Sequence, residues 1–140
     1  MPLRMAAKNR YASLVAAAMA ARRKAYSPYS GVKIGAAVLT SDGRIFSGCN
    51  IENASYGLSL CAERTAIFNA VAAGARKIKA IAVVGKSEQF TRPCGACRQV
   101  MAEFNPSMLV LRRGENGFAE DVRAEKLLPE PFNPAELSKK

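Results

Sequence analysis

Histidine is missing from all 140 residues, and acidic residues are missing before Asp42. Without imidazole, the commonest metal ligand, a metal site in this chain would have no neutral histidine ligand. The acid-free start leaves Arg4, Lys8, Arg10, Arg22, Arg23, Lys24 and Lys33 unopposed, and an Arg- and Ala-rich, acid-poor start has the composition of an organelle transit peptide. Against that reading, Tyr11, Leu14, Val15, Ala18 and Met19 recur at helical spacing, which predicts one apolar face and a helix belonging to the folded domain. Long apolar runs are absent too. The most aliphatic window, SLVAAAMAARRK, ends in three cations and falls short of the roughly 18 to 20 residues a membrane span needs. No secretory signal is evident, and a composition 49% hydrophobic suffices for a core without disulfide staples. Cys49, Cys61, Cys94 and Cys97 are therefore expected as thiols in the cytoplasm, available to a metal.

One domain is expected over residues 1–140, with about 1–10 and 134–140 as peripheral tails. After the first helix, AYSPYSG (25–31) must be a loop because of Pro28 and Gly31. KIGAAVLT and RIFSGCN flank Asp42-Gly43, a hairpin turn signal. A helix is predicted over 61–74, stopped by Gly74. KAIAVVG (79–85) is a continuous apolar run that predicts a strand buried on both faces. A helix follows over 94–104, then strands at 107–113 and 118–123 around GENG, then a short helix in AEKLLP. The order α-β-β-α-β-α-β-β-α implies an α/β layered domain, and the four-residue turn makes the last two strands antiparallel, so the sheet must be mixed.

Both cysteine clusters fall at predicted helix starts, where unpaired N–H groups favour thiolate over thiol. A bare C-x-x-C is compatible with a redox pair, a structural zinc knuckle or a catalytic metal site. Cys61, Cys94 and Cys97 together supply three ligands and leave a tetrahedral position open, the pattern of a catalytic zinc site. Glu63 is then the candidate acid/base group. Cys49 as a fourth ligand would close the site; its other reading is a small buried hydrophobe.

CAE at 61–63 with PCGAC at 93–97 resembles the signature of zinc-dependent nucleobase deaminases. AYSPYS, IGAAV, GCNIENASYG, CAERTAIFNAV, PCGACRQV and LLPEPF, in that order over roughly residues 12 to 136, are similar to the small homotetrameric cytidine deaminases with all-cysteine metal ligands. The resemblance implies a three-layer α/β/α sandwich on a five-stranded mixed sheet and one Zn²⁺ per chain. It implies hydrolytic deamination of cytidine and deoxycytidine in pyrimidine salvage, with a metal-activated water attacking C4 and Glu63 moving its proton to N3 and then to the departing ammonia. It further implies that Arg64 donates to the cysteine sulfurs, with Arg98 an alternative donor or a plain surface cation. Asn50 and Glu52 would take the ribose 3′-hydroxyl, and Ala62 would line the substrate pocket. Ala54 and Tyr56 would reach a neighbouring subunit's ligand, and Phe132 would be lent to another subunit's base or else anchor the tail. Val32 departs from the family, which usually has an aromatic residue flanking the pyrimidine there, and this puts substrate preference in question.

The formal charge of +10 favours anionic partners. A deaminase acting on nucleic acid, or an RNA-binding protein, is the competing reading. It is disfavoured because the cations are spread along the chain and because nucleic-acid deaminases generally run the final strand parallel after an inserted helix. A non-catalytic zinc or dithiol domain would leave Glu63, Asn50 and Glu52 without a role.

Overall fold

Asp42-Gly43 turns the chain as the sequence predicts. Gly43 takes φ +91°, a conformation that favours glycine, and β1 (Gly35–Thr40) pairs antiparallel with β2 (Ile45–Cys49). The computed structural model describes residues 3–132 and Leu137, with 3–10 as helical backbone only. Residues 3–10 thus continue the first helix, and all of 134–140 except Leu137 lies outside the described residues.

Five strands form one sheet in the order β2-β1-β3-β4-β5, with β3 at Ile78–Gly85, β4 at Leu109–Gly114 and β5 at Ala119–Arg123. Only β3 and β4 are parallel, and α3 (Gly95–Phe104) lies in the connection between them. The short turn after β4 brings β5 back antiparallel. Every residue of β3 except Lys79 is buried, as its unbroken apolar sequence requires of a central strand covered on both sides.

The two faces are separated by the two-residue period of β1. Ala37 and Leu39 pack with Leu14 and Ala18 of α1 (Leu3–Arg22), whereas Ala36 and Val38 pack with Ala66 and Ile67 of α2 (Ala62–Ala72) and Met101 of α3. A final helix, α4, spans Ala124–Leu127. Complete burial of side chains such as Ile67, Ile81 and Leu111 contributes about 1.5–3 kcal/mol each before chain entropy is charged against it. Met19 is a correction to the expected helical face: it is half exposed, because the buried stripe runs through Leu14, Ala18 and Ala21 and leaves the next residue rotated away from the sheet.

Close helix approach depends on two glycines in the sheet. A Cβ at Gly35 would lie 2.0 Å from the Ala18 carbonyl oxygen of α1, and one at Gly48 would lie 2.5 Å from the Ala66 nitrogen of α2. These contacts seat one helix on each face, and α2 and α3 carry the cysteines.

Candidate active site

Cys61 and Cys94 are the N-cap residues of α2 and α3, both in extended backbone conformations, and neither side chain caps its own helix. Both sulfurs are therefore left facing the space between the two helix ends. Cys97, in the first turn of α3, is fully buried and completes the group. The Cys61 and Cys94 sulfurs are 3.6 Å apart, those of Cys94 and Cys97 are 3.5 Å apart, and all three lie within 4.8 Å of one another.

Zinc–sulfur bonds of about 2.3 Å in a tetrahedron place sulfurs about 3.8 Å apart, so the three thiols fit a zinc ion with little adjustment. The charge environment agrees. A hydrogen bond from the Cys97 thiol, together with the Arg64 guanidinium, pulls Cys61 down to about 5, while Cys97, holding the shared proton in a buried position, is raised. Arg64 donates from Nη2 to Cys61 Sγ at 3.5 Å, and its Nε is buried without a partner among the described residues. Cys49 is half-buried and stands apart from this cluster, beside Ala17 of α1 and Lys24 just after it.

Glu63, in the first turn of α2, is 4% exposed. Burial pushes its carboxyl up to about 7, and the neighbouring Cys61 charge acts in the same direction. A carboxyl poised near neutrality can both accept and release a proton. A cleft of about 260 Å³ contains Glu63, Ala62, Cys61 and Cys94 at one end and Asn50, Glu52 and Val32 along its walls.

Asn50 and Glu52 also organise the cleft. The Asn50 amide accepts from the Ile34 N–H at 2.8 Å and donates to the Val32 carbonyl at 2.7 Å. Glu52 accepts from the Tyr29 and Ser30 N–H groups and, at 2.5 Å, from the Ser30 hydroxyl. These bonds hold the 29–34 loop in place and keep Glu52 below the usual carboxylate range, the Ser30 hydroxyl acting most strongly.

Three expected substrate residues stand outside this cleft in the single chain. Tyr56 is 74% exposed, with its ring edge-on to Tyr29 at 5.9 Å, and Ala54 is exposed beside it. Phe132 is 65% exposed, and its backbone is held at both N–H and C=O by the Gln99 side chain. Among the described residues Arg98 makes no hydrogen bond to the sulfurs. It donates to the Pro93 and Leu127 carbonyls at 2.8 Å each, fastening the C-terminal end of α4 to the loop that carries Cys94.

Phe90 and Arg92 also line the cleft and carry no signal in the sequence, where they are an isolated aromatic and one cation among many. Their loop is pinned from the sheet by Arg112, which is buried and donates to the Glu88 carbonyl at 3.0 Å and to the Thr91 carbonyl and hydroxyl at 3.3 and 3.2 Å. Its remaining contacts are Glu120 at 3.2 Å and the Phe118 ring.

Residues 8–112 match the sequence model of the cytidine and deoxycytidylate deaminase zinc-binding region. A cytidine deaminase of Sporosarcina psychrophila is 51% identical over 126 residues, covering 89% of this chain and 93% of that protein. Another, from Halalkalibacterium halodurans, is 46% identical over 89% of this chain and 96% of its own. The crystal structure of cytidine deaminase from Burkholderia pseudomallei superposes with a TM-score of 0.81 at 53% identity, covering 86% of this chain and 97% of that one.

Proposed function

The chain belongs to the cytidine and deoxycytidylate deaminase family, and from that premise we propose that it hydrolyses cytidine and deoxycytidine to uridine and deoxyuridine with release of ammonia. The observation that carries this reading is the clustering of three thiols at two helix N-termini, two of them, Cys61 and Cys94, lining the cleft that also holds the buried Glu63.

Cys61, Cys94 and Cys97 would hold the zinc, which when bound supplies the Lewis acidity that brings a water's pKa toward neutrality. Glu63 takes the proton released by the attacking water, passes it to N3 of the pyrimidine, and moves the next proton to the departing amine. Water is consumed, the C4–N bond breaks, and ammonia leaves. Three thiolates over-compensate a divalent cation by one negative charge, and the Arg64 guanidinium offsets that excess at Cys61. Asn50 and Glu52 take the ribose hydroxyls, Ala62 lines the base end, and Val32 and Phe90 flank the ring.

Ala54, Tyr56 and Phe132 serve neighbouring subunits of a homotetramer, a role supported by their exposure on one chain and by the tether that Gln99 gives the Phe132 backbone. Among the described residues no helix is long and apolar enough to cross a membrane. Four unpaired cysteines suit a reducing cytoplasm.

Ultraviolet absorbance of purified protein with cytidine, read beside zinc per chain on the same sample, tests the activity. Rapid loss of the cytidine band at one zinc per chain supports the proposal, and a zinc-loaded protein inert toward cytidine and deoxycytidine contradicts it. Sedimentation at micromolar concentration tests the shared pockets, because a fully active monomer is incompatible with them.

A further inference from the structure

The catalytic cleft has a second cavity beside it. Val32 and Phe90 line the cleft, and the same two residues line a neighbouring annex of about 260 Å³ whose other walls are Arg22, Gly31, Lys33 and Lys86. Val32 is only half-buried, and its short branched side chain is a small partition between two spaces of this size. The annex is one-sided in charge. Glu115 engages Arg22 at 3.0 Å, but among the described residues neither lysine has an ion-pair partner and no carboxylate lines the annex.

The opposite sign prevails where the cleft meets its vestibule. That boundary runs along Ser30, Glu52 and Ser59, and Glu52 is held ionised by the Ser30 hydroxyl and two N–H groups. An anion is disfavoured beside Glu52 and favoured beside Lys33 and Lys86. Sugar hydroxyls suit the Glu52 side, which leaves the ring as the part of a bound nucleoside that faces Val32 and the annex.

We propose that Val32 opens the cleft to a cationic annex, and that the enzyme accepts cytosine nucleosides carrying an acidic substituent on the ring, which Lys33 and Lys86 recognise. This rests on the deaminase reading above and names a substrate class for the same site. The reaction is unchanged: water adds, the exocyclic amine leaves as ammonia, and the substituent is retained.

The test compares kcat/KM for cytidine, 5-methylcytidine, 5-carboxycytidine and CMP in zinc-loaded wild type, Val32→Phe and the double variant Lys33→Ala/Lys86→Ala. Wild type is expected to turn over 5-carboxycytidine at least as efficiently as 5-methylcytidine. Two solvent-accessible ion pairs together correspond to about a tenfold effect, so the lysine variant should lose about tenfold on 5-carboxycytidine and leave cytidine and 5-methylcytidine unchanged. Val32→Phe should lower the ratio of 5-carboxycytidine to cytidine efficiency by a similar factor, because the ring closes the partition. Failure to process 5-carboxycytidine by a protein that deaminates cytidine overturns the proposal, as does equal use of it with and without the lysines. Lysine sensitivity confined to CMP overturns it as well, by placing the anion on the sugar. Absence of turnover with cytidine at full zinc occupancy contradicts instead the deaminase reading on which the proposal stands.

Discussion

The Nη2 of Arg64, in the first turn of α2, lies 3.5 Å from Sγ of Cys61, the N-cap of the same helix. In the proposed site Arg64 would withdraw charge from the Cys61 thiolate, and so would set how much positive character a bound zinc keeps. Replacing Arg64 with Gln should lower kcat by about tenfold to a hundredfold while zinc remains bound, in line with the usual effect of removing a partner of a metal ligand. Zinc content and kcat measured on the same preparation check this, and unchanged kcat at full occupancy would remove Arg64 from the account.

Cys94 occupies an exposed helix cap, so its sulfur can be exchanged for oxygen with little packing cost. Cys94→Ser should nevertheless lose zinc occupancy and activity together, because the hydroxyl is a much poorer zinc ligand than a thiolate. Metal analysis after dialysis against a chelator reads the outcome directly.

Arg112 acts on the cleft through the loop it pins. Arg112→Met frees the Glu88 and Thr91 carbonyls and lets the Phe90 wall move, while Cys94 is still positioned by α3 and by the Arg98 bond to Pro93. The expected result is a KM for cytidine raised about tenfold, with zinc retained and kcat affected much less. In a Phe90→Ala background the same change should add little, and a double-mutant cycle measures that coupling.

Much of this architecture was legible in the chain itself. Asp42-Gly43 announced the hairpin, the unbroken apolar run of β3 announced a strand covered on both faces, and the four-residue turn before β5 dictated an antiparallel final pair. The grouping of the three thiols was legible because Cys61, Cys94 and Cys97 are rare residue types at two predicted helix starts. Phe90, Arg92, Arg98 and Arg112 were not, since their roles arise from tertiary approach: Arg112 meets its loop partners across 21 and 24 positions of sequence. Gly35 and Gly48 gave no sequence signal of the helix contacts they permit, because nothing in either hairpin strand shows how near a helix will come.

Gly35 yields a stability prediction. Alanine there drives its Cβ into the backbone of α1, so Gly35→Ala should destabilise the fold by about 3 kcal/mol, the upper part of the range for overpacked sites. Denaturant unfolding of the two proteins gives the difference.

Glu52 supplies a pH signature. Its folded carboxyl is held below the ordinary value of 4.5, so the unfolded state binds more protons as that region is approached from above. The stabilisation that ionised Glu52 gives the 29–30 loop is therefore fully present well above pH 4.5 and is lost as pH falls through the lowered folded value. The stability gap between wild type and Glu52→Gln should be constant near neutrality and close in acid, as melting curves of the two proteins across that range would show.

The role given to Glu63 is the centre of the account, and the variant Glu63→Ala at one zinc per chain tests it most directly. With the metal and assembly intact, turnover of cytidine should fall by about a thousandfold or more, since positioned proton transfer contributes roughly 10² to 10⁴ and the proposed reaction asks the buried carboxyl for more than one transfer. Wild-type turnover by the zinc-loaded variant would contradict it.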